Sequence, residues 1–283
     1  MSSNLLLPTK ATGRTRDHEK HLQDHLLSGS TRSTGKTSRT RIAIISTPRS
    51  GNTWARSVLR ETLGLHEIAV HNPRDIPSSL PERMVLQLHW YREPNLQRFL
   101  TTNEFRVLII SRHPLDVLIS AWHFAQYEPL TTRWLEGNTE LPRNVGDDPP
   151  ASRAFLSYAT SWGAENFLSV SYQWWHEPSA MRSRYEDLVR DPTGTFGDLI
   201  RSFGGSPQQL APALEKNRLA VYQGLPNRHG WHGRPGLWRK VVPQSIAFRV
   251  WRRHRRVFTT LGYGAPLTAT TRRQAIRNWD SLR

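Results

Sequence analysis

The sequence predicts an α/β fold, a single domain with a central parallel sheet flanked by helices, and three observations carry that expectation. Short apolar runs of strand length alternate with stretches of helical periodicity, the pattern of parallel strands linked by crossover helices. The first run passes into the first helical stretch through a tight, glycine-containing loop, which makes the architecture P-loop-like. Arginine and histidine stand at the C-terminal ends of the runs, where open parallel sheets place their ligand sites.

The first forty residues are rich in Ser, Thr, Arg and His with no apolar period after Leu7, and residues 1–40 read as a disordered basic tail. Organised structure is expected from Arg41. Ile42, Ala43, Ile44 and Ile45 form a buried-strand run that ends in the turn cluster Pro48-Arg49-Ser50-Gly51. From Asn52 the period changes: Trp54 with Val58, and Ala55 with Leu59 and Leu63, recur at helical spacing, and Gly64 is placed to stop the helix. A second run, Met84 to Leu88, ends at His89. A third, Phe105 to Ile110, ends at Ser111-Arg112 before a helical pattern from Pro114 to Phe124. The polar, proline-rich stretch 128–150 reads as a surface loop or lid. Helices are expected over Ala151 to Trp175, Thr193 to Phe203 and Pro207 to Leu219, with a short strand near Met181 to Tyr185. The domain is expected over 41–263, with 264–283 as a C-terminal extension, and no internal repeat is present.

Composition excludes several classes. The 283 residues hold no cysteine, so there is no disulfide framework, thiolate zinc site or cysteine nucleophile. Hydrophobic residues at 37%, with eleven tryptophans, exclude disorder throughout. No apolar run approaches the roughly 18 residues that cross a bilayer, and Leu5-Leu6-Leu7 is cut by Pro8; a soluble cytoplasmic protein is expected. The net charge of +16 is unevenly spread, with +4 in residues 1–40, −1 in 41–217 and +13 in 218–283. The run Trp251-Arg252-Arg253-His254-Arg255-Arg256 raises a nucleic-acid surface. A helix with Phe248, Trp251, Arg255 and Phe258 along one stripe explains it as well, and no helix-turn-helix, zinc-finger or ribonucleoprotein sequence accompanies it.

Two segments look like phosphate loops. Gly29 to Thr37 has five residues between its glycines where the nucleoside triphosphatase pattern has four, and it neither follows a strand nor precedes a helix. Thr47 to Trp54 lies between strand and helix, as phosphate binding requires. There Gly51 lets the backbone approach an anion, the helix N-terminus favours negative charge, Ser50, Asn52 and Thr53 add polar groups, and Arg49 adds a fixed cation. An ordinary strand-to-helix turn with Asn52 as cap is the plainer reading of the loop alone.

That loop resembles the 5′-phosphosulfate loop of the cytosolic-type sulfotransferases, Pro-Lys-Ser-Gly-Thr-Thr-Trp. Arg112-His113-Pro114-Leu115-Asp116-Val117, continuing to Ser120 and His123-Phe124, is similar to that family's 3′-phosphate segment. Tyr185-Glu186-Asp187, Trp162, Trp174-Trp175, Gly236-Leu237-Trp238 and Leu261-Gly262-Tyr263 also match its spacing, so the resemblance spans about Arg41 to Tyr263. It departs in two places. Arg49 stands where many members have lysine, and Trp231-His232-Gly233 stands where Arg-Lys-Gly is usual, leaving Arg228 and Arg234 as the nearby arginines.

The resemblance implies transfer of a sulfuryl group from 3′-phosphoadenosine 5′-phosphosulfate, the co-substrate, to an acceptor hydroxyl or amine, with no metal. It places the 5′ group on Arg49, Ser50, Gly51, Asn52 and Thr53, and the 3′ group on Arg112, Ser120, Arg234 and Gly236. Trp54 would stack on adenine and Tyr185 close its other side. His89 follows a predicted strand, carries an imidazole, the side chain whose ordinary range lies near working pH, and resembles the family's catalytic base, without the surrounding Thr-His-Leu-Pro. The acceptor is expected to be a small molecule, lipid or glycan, with no nucleic acid beyond the nucleotide donor. A P-loop-related small-molecule kinase and a nucleic-acid-binding protein are the alternatives.

Overall fold

The structure, a computed structural model, describes residues 39–142, 148–225 and 230–282. Five parallel strands form one sheet in the order β2-β3-β1-β4-β5. They are β1 (Thr40–Ile45), β2 (His66–Val70), β3 (Arg83–Leu88), β4 (Phe105–Ser111) and β5 (Met181–Arg184). β1 is central and lies under helices on both faces, which is why its residues run apolar without alternation. Ile42 pairs with Val85 on one side and with Arg106 on the other.

The chain leaves β1 through α1 (Asn52–Leu63) to build β2 and β3 on one side, then adds β4 and β5 on the other. The C-terminal end of β1 is therefore the point where strand order reverses, the usual ligand crevice of such sheets. Ala55, Val58 and Leu59 bury one face of α1 on the sheet, and Gly64 at φ 61° ends the helix by donating its N–H to the Arg60 carbonyl.

The remaining helices are α2 (Pro94–Thr102), α3 (Pro114–Phe124), α4 (Arg153–Ala159), α5 (Trp162–Trp174), α6 (Tyr185–Arg190), α7 (Pro192–Ser202), α8 (Leu210–Lys216) and α9 (Leu219–Gln223). At the C-terminal end come α10 (Trp238–Val241), α11 (Gln244–Arg253), α12 (Arg255–Thr260) and α13 (Arg272–Asp280). Among the described residues no helix is long and apolar enough to cross a membrane.

Four local expectations change. β2 was not anticipated: an edge strand paired only to β3, it is half-exposed and carries little apolar signal. The helix expected over 151–175 is two helices, because Ser161 accepts the Ala164 N–H and starts α5 afresh. The stretch read as a polar surface loop contains a 3₁₀ segment, Pro129–Gly137, whose Trp134 and Leu135 are buried. The stripe forms only in part: Phe248 lies 5.4 Å from the Trp251 ring and Arg255 5.6 Å from it, but the helix that was to carry them is broken and Phe258 is buried in the core. His254 interrupts that helix between α11 and α12, buried with Nε2 donating to the Ala159 carbonyl at 2.8 Å; Phe248 is 44% exposed and Arg255 faces solvent. The first phosphate-loop-like segment, Gly29 to Thr37, lies outside the described residues.

Residues 264–282 fold back onto α10. Asn278 donates to the Lys240 carbonyl, and Trp279 is fully buried in the cluster that holds Trp122, Trp238 and Phe258. Trp279→Ala is expected to cost about 3–5 kcal/mol of unfolding free energy by denaturant titration, the usual result of emptying a large aromatic site. A loss under about 1 kcal/mol would show that α13 is a detachable appendage.

Candidate active site

The site begins with how the first loop is bolted down. The Thr47 N–H donates to Ser171 Oγ (2.8 Å), the Ser171 N–H donates to Thr47 Oγ1 (3.1 Å), and the Ser171 hydroxyl donates to the Ile110 carbonyl (3.1 Å). Ser46 Oγ accepts the Ile110 N–H at 2.7 Å. Asn52 is not the helix cap; its amide nitrogen donates across the loop to the Thr47 carbonyl at 3.0 Å, and the cap position is Gly51 at φ 93°. A Cβ on Gly51 would sit 2.5 Å from Tyr185 Cδ2, so both conformation and space require glycine there. Arg49 also holds a positive φ, 69°, a strain of about 1–3 kcal/mol that such loops tolerate at functional sites.

A cleft of about 720 Å³ opens at this end of the sheet. Of the residues singled out from sequence, Arg49, Gly51, Asn52, Thr53 and Trp54 line one part of it, and His89, Arg112, Ser120, Tyr185 and Arg234 line the rest. Ser50 is buried behind the loop, and Gly236 does not reach the cleft. The Gly236 N–H instead donates to Asp116 Oδ2 (2.6 Å), and the Trp238 N–H donates to Asp116 Oδ1 (2.9 Å). Gly236 thus helps to anchor the segment rather than offering its amide to a ligand. Arg228 lies outside the described residues.

The two expected anion positions converge. Arg112 donates to the Arg49 carbonyl (2.9 Å), and the Arg49 Nε–H donates to Ser120 Oγ (3.1 Å) while its guanidinium lies 4.1 Å from the centre of the Phe124 ring. Burial and the neighbouring Arg112 push the Arg49 guanidinium down to about 9, still cationic at neutral pH. His232, partly buried and facing Arg234, Lys240 and Arg112, is likewise held below the ordinary histidine range. Mutually repelling cations of this kind are relieved by an anion between them. Arg112 Nε, on a residue that lines the cleft, is buried with no partner, so hydrogen-bonding capacity remains unused beside the loop. An anionic group fits this donor set.

Trp54 and Tyr185 meet edge to face at 6.4 Å and 78°, forming a corner, not the parallel-walled slot expected for adenine. Tyr185 is instead fixed by donating its hydroxyl to the Gly233 carbonyl (2.5 Å), with Arg112 stacked 4.5 Å from its ring centre. His89 sits directly after β3; its Nδ1 contacts the Ser46 carbonyl at 2.7 Å and its Nε2 contacts Gln87 Nε2 at 3.1 Å. His71 stacks on it at 5.6 Å. Sequence reasoning missed Gln87, Arg56 and His71. Gln87 was findable, since residues two apart on a strand share a face; Arg56 and His71 reach the cleft only through tertiary packing.

Comparison with known proteins now gives the class. A family model described as the sulfotransferase domain matches residues 39–229, and the chain belongs to that family. No curated protein matches the sequence. Among solved structures, mouse sulfotransferase SULT7A1 complexed with PAP aligns with TM-score 0.58 at 14% identity, covering 85% of this chain and 92% of that one. Retinol dehydratase in complex with androsterone and the inactive cofactor PAP aligns with TM-score 0.54 at 14% identity, covering 87% of each chain. These similarities bear on the fold: a parallel five-stranded sheet flanked by helices, as sulfotransferases have.

His113, inside the Arg112–Asp116 motif, is structural. Its ring stacks on Trp238 (4.7 Å, 13°), its backbone N–H donates to Glu186 Oε1, and burial with Arg239 and Arg112 nearby pushes the imidazole down to about 3. The unfolded chain protonates near 6.5 while the folded one does not, so stability is lost as pH falls below 6.5, by about 2 kcal/mol at pH 5 from this group. His113→Phe keeps the stack and is expected to gain that amount over the wild type between pH 7 and pH 5 in urea unfolding. Parallel stability curves would exclude the assignment.

Proposed function

We propose that the protein transfers a sulfuryl group from 3′-phosphoadenosine 5′-phosphosulfate to an acceptor hydroxyl or amine, with His89 as general base. One observation carries the reading: a single cleft at the strand-order reversal holds Arg49 and Arg112 beside the N-terminus of α1, with the His89 imidazole on its wall. PAP in the two structural relatives supports the donor. When bound, the nucleotide supplies the sulfuryl group and leaves as adenosine 3′,5′-bisphosphate.

Arg49 stabilises the charge that builds on the leaving 5′ phosphate, together with the amides of 50–53. A guanidinium gives charge and hydrogen bonds there but no proton. Arg112 and Ser120, with Arg234 at the cleft mouth, hold the 3′ phosphate, and Trp54 offers one face for adenine. His89 Nε2 takes the acceptor's proton: the O–H bond breaks as that oxygen bonds to sulfur, and the sulfur–oxygen bond to the phosphate breaks with its electron pair left on the phosphate. The cleft beyond His89 is walled by Val70, Phe124, Leu130 and Trp134 with one carboxylate, Glu128, which suits a small organic acceptor. Androsterone in the retinol dehydratase complex accords with that.

Two substitutions separate donor from base. Arg112→Ala is expected to weaken adenosine 3′,5′-bisphosphate roughly ten- to hundredfold by calorimetry, the worth of one or two charge-assisted bonds, and to leave an analogue lacking the 3′ phosphate nearly unchanged. An equal loss for both nucleotides would remove Arg112 from the 3′ site. His89→Ala is expected to lower kcat about 10²- to 10⁴-fold while thermal stabilisation by the bisphosphate persists; wild-type turnover in that variant would end the role of His89.

A further inference from the structure

Resting on the assignment of His89 as base, we propose that Gln87, oriented by Arg56, is a positioning residue that keeps His89 Nε2 unprotonated until an acceptor hydroxyl takes its place. Donor and acceptor chemistry determines every link. A guanidinium only donates, so Gln87 Oε1, 2.9 Å from Arg56, accepts. Gln87 therefore turns its amide nitrogen to His89 Nε2, 3.1 Å away, and an amide nitrogen only donates. His89 Nε2 must then present its lone pair. On the other side of the ring the Ser46 carbonyl, 2.7 Å from Nδ1, only accepts, so Nδ1 carries the proton. Glu67 steadies Arg56 in turn, at 3.3 Å from its Nε.

Gln87 and His89 are 6% and 5% exposed, so water does not readily substitute for either bond. Protonating Nε2 at rest would set two N–H groups against each other across 3.1 Å, and rotating Gln87 to present its oxygen would break the Arg56 bond. An arriving hydroxyl escapes this conflict. It donates to Nε2 as Gln87 does, leaves nothing on His89 unpaired, and frees the Gln87 N–H beside the acceptor oxygen. Groups that bear on the ring include His71, stacked on it, and Arg49, Arg56, Arg112, Asp116 and Glu128 in the same cleft, with Asp75 acting on His71. All of these persist in Gln87→Met, which changes no charge and so isolates the relay; Arg56→Met also removes a cation from the cleft and frees Glu67, and its effect is read against that of Gln87→Met.

The test combines long-range ¹H–¹⁵N spectra of ¹⁵N-histidine-labelled full chain, without donor or acceptor, with pH profiles of kcat/KM. Wild type should show His89 as the neutral Nδ1–H tautomer at pH 7. Gln87→Met, which removes the donor, and Arg56→Met, which releases the amide, should each raise the His89 titration midpoint by at least half a pH unit. Gln87→Glu, which replaces the donor by an acceptor, should raise it further. The acid limb of kcat/KM should move with it, while affinity for adenosine 3′,5′-bisphosphate stays within threefold. An Nε2–H tautomer in the wild type, or unmoved midpoints in the folded variants, would overturn the proposal. If the spectra behave as expected but the bisphosphate fails to bind the wild type, the relay stands and the donor assignment falls.

Discussion

The buried carboxylate of Asp116 is the constraint on which the cleft depends. It is 2% exposed, sits in the first turn of α3, and receives the Gly236 and Trp238 amides from a segment 120 residues away in sequence. Burial pushes its carboxyl up, while Arg112 and the two amides oppose that. Removing it would strand two amides and deprive Arg112 of a neighbouring anion. Through this one group the strand-end arginine and the C-terminal segment share a wall, with Gly233 joined to Tyr185 a few residues earlier. Glu186 repeats the device, holding the His113 N–H with one oxygen and the Tyr263 hydroxyl with the other.

Rigidity at the first loop has a similar origin. Ser46 and Thr47 spend their polar groups on Ile110 and Ser171, tying β1, β4 and α5 together at the point where strand order reverses. Against that fixed base the loop sustains positive φ at both Arg49 and Gly51. Strain of this kind survives only where the surroundings over-determine it, and here those surroundings also aim the N-terminus of α1 into the cleft.

Charge is arranged by position more than by total. The +13 of residues 218–283 is carried mostly on solvent-facing arginines of α11, α12 and α13, whereas the cations that matter to the cleft are the few that tertiary contacts force together. Arg49 and Arg112 are held in mutual repulsion, and His113 is kept neutral by burial and by the nearby Arg239 and Arg112. Arg112 thus faces the cleft without a competing imidazolium next to it in sequence.

The alternation of apolar runs with helical periods was enough to read the parallel α/β sheet, and the loop at Arg49–Trp54 with the segment Arg112–Phe124 was enough to read the family, because both signals are local: they need only neighbours in the chain. Edge strand β2 and the interruption at His254 were illegible, since each is decided by partners far away, β3 and the Ala159 carbonyl, whereas the break at Ser161 is a local cap that the sequence carried and the helical period of its flanks concealed. Composition could not show that Gly236 would give its amide to Asp116, that Trp54 and Tyr185 would form a corner, or that Arg56 would orient Gln87 toward His89. Residue types are set by sequence, but the direction of a hydrogen bond is set by what else lies within 3 Å of it, and only the folded chain brings those atoms together.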